Sequence, residues 1–281
     1  MLSTMQPVVS IALRAARRAG TILMRHFDRL DRVVVEQKGE HDLVSAVDRE
    51  SEDAIIEVLR NAYPQHGVLA EESGASIESE SGYTWVIDPL DGTTNFLHGI
   101  PHFAVSIALV RGSRVEHGVV FDPIRNEVFS ASRGYGAQLN DRRIRVTTRS
   151  ELDTAVLGTG IPFRDADNVL PRYLPMLEAM ARRCRGIRRA GSAALDLAYV
   201  AAGFTDGLFE TGLSPWDVAA GSLLVTEAGG LVGNFTGEAD FLHQKECLAA
   251  SPKIYAQMVS LLSKYSKFAS AGDKALVPQP L

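Results

Sequence analysis

Four short apolar runs follow one another between residues 103 and 146, at 105–110, 115–121, 127–131 and 136–139. Only short, mostly polar gaps part them, at 111–114, 122–126 and 133–135. Repeated short gaps of this kind predict an antiparallel meander. The rest of the chain must cover that sheet.

Upstream, Val8, Ala12, Ala15, Ala19 and Ile22 recur at steps of three and four, which predicts an amphipathic helix over residues 7–27. Pro7 suits its first position, where a missing N–H costs nothing. A β-branched run at 33–35 predicts a strand leading to a polar turn at 38–41. A second helix is predicted over 48–62, burying Ile55, Ile56, Val58 and Leu59 and ended by Pro64. Strands at 68–70 and 85–87 follow, with an exposed loop over 73–82 between them. Beyond residue 150, a strand at 155–159 alternates with helices near 168–183, 193–202, 216–228 and 252–264. Residues 1–150 thus read as an α+β half and 151–265 as an α/β half, with 266–281 a fraying tail.

Acids exceed bases by 34 to 29, a formal charge of -5, too mild to imply a polyanion partner. Cys184 and Cys247 stand far apart without CxxC spacing and are expected to be free thiols in a reducing cytosol. Arg14, Arg17 and Arg18 break up the N-terminal apolar residues, so neither a signal peptide nor a membrane span is expected. The expected location is the cytoplasm.

Three acidic segments sit where an element ends or begins: Glu71-Glu72-Ser73, Asp88-Pro89-Leu90-Asp91-Gly92-Thr93-Thr94-Asn95 and Pro215-Trp216-Asp217. An isolated Asp-Gly is most often only a turn, and a lone acid such as Glu71 is most often solvated. Their combination changes the reading. Asp88 and Asp91, three apart across Pro89, can face one point, and Gly92 allows close backbone approach. Thr93-Thr94 can open a short helix whose N–H groups suit an anion. Carboxylates and carbonyls without histidine or thiolate favour Mg²⁺ or Mn²⁺ over zinc.

Residues 85–96 resemble the first signature of the inositol monophosphatase family. Residues 216–221, continuing into Glu227-Ala228-Gly229-Gly230, resemble its second. The likeness runs from about residue 5 to 265, and residues 188–199 look like the family's bacterial SuhB-type branch. It implies a five-layered αβαβα sandwich and a lithium-sensitive, magnesium-dependent phosphatase holding two to three ions. Glu71, Asp88 and the Leu90 carbonyl would hold one metal; Asp88, Asp91 and Asp217 would hold a second. Glu71 would also reach a third, more hydrated ion. Gly92 and Thr93 would donate backbone N–H groups to phosphate, Thr93 would orient the attacking water, and Asp48 would sit behind Thr93. Lys38, Asp42 and Glu72 match polar cleft positions; Gly191, Ala193 and Glu210 match contacts to substrate hydroxyls.

The expected reaction is direct attack of metal-activated water on an inositol monophosphate or related sugar phosphate. No GxSxG elbow or CxxxxxR loop offers a covalent route. Other phosphate esters, such as fructose bisphosphate or a nucleotide phosphate, are alternatives within the class. Outside it stands a regulatory dimer that binds RNA or the transcription machinery. The resemblance implies a homodimer, and Arg182, Arg183, Arg185, Arg188 and Arg189 form either a solvated turn or a partner surface. His98 and His102 read as loop-packing residues near the site, and Trp216 as either a substrate wall or a core anchor that fixes Asp217.

Overall fold

The computed structural model describes residues 6–32, 35–39, 42–162 and 166–269. Helix α1 (Pro7–Phe27) leads to the hairpin β1 (Val35–Gly39) and β2 (Asp42–Ser45), then helix α2 (Ala46–Ala62). Strands β3 (Gly67–Ala70), β4 (Gly74–Ile77) and β5 (Tyr83–Asp91) precede the short helix α3 (Thr93–Leu97). The meander follows as β6 (Ala104–Arg111), β7 (Arg114–Asp122), β8 (Glu127–Ser132), β9 (Gly136–Leu139) and β10 (Arg142–Arg143). The later elements are β11 (Val156–Gly158), α4 (Ala166–Ala181), β12 (Gly186–Arg188), α5 (Ala193–Ala202), β13 (Gly207–Thr211), α6 (Pro215–Glu227), β14 (Leu231–Gly233), α7 (Phe241–Gln244), β15 (Glu246–Ala250) and α8 (Pro252–Leu262).

Eight strands form one sheet in the order β10-β9-β8-β7-β6-β5-β3-β4, and five form another in the order β12-β11-β13-β15-β14. Strand β6 shows why the large sheet needs cover on both sides. Its side chains alternate between two separate cores: Val105, Ile107 and Leu109 join one, Ala104 and Ala108 the other. Helices α1 and α2 close the first face with Ala12, Ala15, Ala19, Ile55 and Leu59. Helices α5 and α6 close the second and also pack on β13, β14 and β15 of the small sheet. Helices α4 and α8 line the small sheet's other core through Tyr173, Met176, Ile254 and Met258. The layers therefore run αβαβα.

The predicted meander and helices are present, but the strand content was underread. The predicted loop at 73–82 holds β4, which pairs antiparallel with β3. Four of the five strands of the small sheet, β12 to β15, were missed. Each has three to five residues, and β13 and β15 are mostly buried, so neither length nor period-two alternation marks them. Of the strand predicted at 33–35, Val35 opens β1, while Val33 and Val34 lie outside the described residues. Lys38 lies within β1 rather than in a turn. The predicted tail starts ordered at Ser266, whose hydroxyl donates to the buried Glu246 at 2.7 Å; residues 270–281 lie outside the described residues. No described helix is long and apolar enough to cross a membrane.

Candidate active site

The site forms where β5 stops being a regular strand. Parallel pairing sets Ala70 of β3 level with Ile87, so Glu71 emerges beside Asp88, its N–H donating to the Ile87 carbonyl at 3.1 Å. Against β6, Asp88 pairs with Ser106 and Asp91 with Ala104: three steps on one strand oppose two on the other. Residues three apart on a regular strand face opposite sides. The extra residue is a bulge that returns Asp91 to the face of Asp88.

Two helix starts meet that face. At α6, Asp217 lies in the first turn, where the helix dipole favours an anion, and its Oδ2 accepts the Ser214 N–H at 2.7 Å. The Ser106 hydroxyl donates to the Trp216 carbonyl at 3.1 Å and fastens this helix start to β6. At α5, the Ser192 hydroxyl and the Ala194 N–H both donate to Asp91 Oδ2, the latter at 2.7 Å. Asp88 Oδ1 accepts the Leu90 N–H at 2.9 Å. The result is a triangle: Asp88, Asp91 and Asp217 each bring a carboxylate oxygen within 4.8 Å of the others'.

The triangle opens into a cavity of about 150 Å³. Glu71, Asp88, Asp91, Asp196, Glu210 and Asp217 line it, with Arg189 the one basic side chain among the described lining residues. Burial, then the charges of Glu71, Asp91 and Asp217, push the Asp88 carboxyl well above the usual range. Burial also raises Asp91, against hydrogen bonds from Ser192, Ala194 and Ala193 that favour its charged form. Asp196 is pushed up to about 8 by burial and then by Asp91, with Arg189 opposing. Burial and then Asp196, Asp91 and Asp217 raise Glu210. Such crowding is electrostatically unfinished without added positive charge.

The remaining predicted residues fall around this cavity. Thr93 opens α3, with its hydroxyl 3.3 Å from Asp48 Oδ1 and 3.1 Å from the Leu90 carbonyl. Gly92 has φ +99°, and a Cβ there would lie 3.2 Å from the carbonyl oxygens of Gly191 and His102, so glycine is required. Leu90, Gly92, Gly191 and Ala193 line the cavity; Asp48 lies behind Thr93, and Glu72 stands outside the lining. The side chains of Lys38 and Asp42 lie outside the described residues. His102 packs edge-on to Tyr199, and burial lowers its basicity, as suits a packing residue. Within the arginine cluster, Arg182 pairs with Glu178, whereas Arg189 reaches the cavity.

Four contributors went unread in the sequence. Asn95 ties the loop to its neighbours through Nδ2 bonds to the carbonyls of His102 at 2.8 Å and Ala190 at 2.9 Å. Asp196 is 4 % exposed and lines the cavity. Glu52 holds a loop, and Gly160 makes room for Glu210: a Cβ on Gly160 would fall 1.8 Å from Glu210 Oε1. Asn95 and Asp196 stand inside stretches singled out in the sequence but without a role read for them, and Glu52 carries a signal in its spacing of four from Asp48 on one helix.

Fold and site together define a layered α/β protein with an acidic centre suited to hard cations. The family model described as "Inositol monophosphatase family" matches residues 4–267, and the chain belongs to that family. It is 53 % identical over 265 residues to a protein named Nus factor SuhB from Pseudomonas aeruginosa, covering 93 % of this chain and 97 % of that one. Among solved structures, the extragenic suppressor protein suhB from Bartonella henselae superposes with TM-score 0.88 at 44 % identity, covering 92 % of this chain and 99 % of the other. The inositol monophosphatase from Anabaena superposes with TM-score 0.81 at 37 % identity over 91 % and 94 % of the two chains.

Proposed function

We propose that this protein is a Mg²⁺-dependent phosphomonoesterase that converts inositol monophosphate, or a closely related cyclitol or sugar phosphate, to the alcohol and phosphate. The observation that carries the reading is the carboxylate triangle of Asp88, Asp91 and Asp217. Its donors are all hard oxygens, and their crowding is relieved by divalent cations, with Mn²⁺ a workable substitute. Glu71, Asp88 and the Leu90 carbonyl would hold one ion; Asp88, Asp91 and Asp217 a second; Glu71 would reach a third. Bound cations supply Lewis-acid stabilisation of the phosphoryl charge and activation of water.

The chain's own groups do the positioning. The Thr93 hydroxyl has one proton, shared between Asp48 and the Leu90 carbonyl, so its lone pairs are left to accept from a water. Gly92 and Thr93 turn backbone N–H groups toward the phosphate, and Glu72 adds polarity at the rim. Gly191, Ala193 and Glu210 meet the hydroxyls of the departing alcohol. Lithium should inhibit by competing for the cation sites.

Phosphate release from inositol 1-phosphate, fructose 1,6-bisphosphate and adenosine 3′,5′-bisphosphate tests the substrate ranking. The inositol ester should lead in kcat/KM; a lead by either bisphosphate would move the assignment within the class. Gly160→Ala should push the Glu210 carboxyl aside. It should raise KM for inositol 1-phosphate by roughly tenfold, the scale of one lost polar contact, and leave 4-nitrophenyl phosphate nearly unchanged. Equal effects on both esters would remove Glu210 from ring recognition.

A second reading comes from the relatives named Nus factor SuhB: a homodimer in the cytoplasm that also contacts RNA or the transcription machinery. Arg182, Arg183, Arg185 and Arg188 would be the surface to test by charge reversal, with Arg189 left intact because it lines the cavity.

A further inference from the structure

Helix α2 carries a second buried acid one turn beyond Asp48. Glu52 is 2 % exposed, and both of its carboxylate oxygens are committed to backbone. Oε2 accepts the Glu72 N–H at 2.8 Å and Oε1 accepts the Ser73 N–H at 2.9 Å. These are the two residues that follow Glu71 out of β3. Asp48, four residues earlier and so on the same helix face, reaches Thr93 at 3.3 Å. A single rigid turn of helix therefore grips both loops of the site, one beside the cations and one beside the phosphate.

We propose that Glu52 is a positioning residue that sets the Glu71 carboxylate beside Asp88 by clamping the backbone just after it. This rests on the proposed metal-binding reading. Glu71 is pinned on both sides: its own N–H bonds to β5 at 3.1 Å, and the next two N–H groups bond to Glu52. Without the clamp, the turn that carries Glu71 keeps its β3–β4 and β5 backbone pairing but loses two of its three restraints, so the Glu71 carboxylate is set less firmly beside Asp88. Glu52 stands outside the cavity lining and outside the carboxylate triangle, so it acts on the site through the backbone it holds. Glutamine cannot replace it. Its amide has one acceptor oxygen and turns an NH₂ group against the other backbone N–H.

The test is a Mn²⁺ titration followed by electron paramagnetic resonance on wild type, Glu52→Gln and Glu52→Asp, with melting temperatures taken in EDTA. Glu52→Gln should stay folded at 25 °C yet bind Mn²⁺ about tenfold more weakly or worse, the usual scale for groups that orient metal ligands. The Mg²⁺ concentration giving half-maximal phosphate release should rise by the same factor, while the rate at saturating Mg²⁺ changes far less. Glu52→Asp keeps the paired acceptors on a shorter stem and should fall between. Wild-type Mn²⁺ affinity in Glu52→Gln, even with a lowered melting temperature, would overturn the proposal and leave Glu52 a structural cap. Failure of wild type itself to bind Mn²⁺ would remove the metal reading and this inference with it, and is told apart because it precedes any substitution.

Discussion

Asp91→Asn is expected to abolish magnesium-dependent phosphate release while leaving the protein folded. Asp91 is held in place by Ser192 and Ala194 and shares the triangle with Asp88 and Asp217. Asparagine keeps the shape and one acceptor oxygen but removes the charge. Breaking one buried charge interaction costs about 3–5 kcal/mol. If that loss falls on the transition state, kcat drops by about 10² to 10³-fold or more. The same change lightens the crowding around Asp88, so the metal-free variant should melt no lower than wild type. Steady-state kinetics over a Mg²⁺ series, paired with thermal melts in EDTA, check both halves. Undiminished turnover in Asp91→Asn would take this carboxylate out of the chemistry.

The metal-free protein is expected to lose stability as pH rises, and Mg²⁺ is expected to restore it. Asp88, Asp91, Asp196 and Glu210 are all raised in the folded state, first by burial. An unfolded chain gives up those protons near pH 4. Above that point the folded state binds more protons than the unfolded one, so stability falls with increasing pH. The loss continues until the folded groups ionise, which for Asp196 is at about 8. Bound cations oppose the loss, so the stabilisation by Mg²⁺ should be greater at pH 8 than at pH 5. At one hundred times its Kd, a ligand stabilises by about 2.7 kcal/mol, which for a chain of this size is a rise in Tm of roughly 5 °C. Melting curves in EDTA and in Mg²⁺ from pH 5 to 9 measure it. A metal-free Tm that climbs with pH would contradict the electrostatic account of the cavity.

Much of the site was readable because its acids sit close together in the sequence. Asp88 and Asp91 share one short segment with Gly92 and Thr93, and Asp217 announces itself at a helix start behind proline. What could not be read was how two aspartates three apart come to face one way. That depends on the β5 bulge against β6, which exists only once the strands are paired. Glu210 was placed by family likeness alone; Gly160, fifty residues away, shows what keeps room for it. Asp196 lay inside a recognised stretch, but an acid in the first turn of a helix normally reads as a dipole partner facing water. In the fold, the meander was legible from successive apolar runs parted by repeated short polar gaps. Strands β12 to β15 were hidden because brief runs, some of them buried on both faces, carry no period.

The decisive measurement is phosphate release from inositol 1-phosphate by the wild-type protein, stripped with EDTA and then titrated with Mg²⁺. No turnover is expected in EDTA, and saturable turnover on adding Mg²⁺. Turnover that persists undiminished in EDTA, or none with Mg²⁺ across inositol, sugar and nucleotide phosphates, would contradict the proposed function.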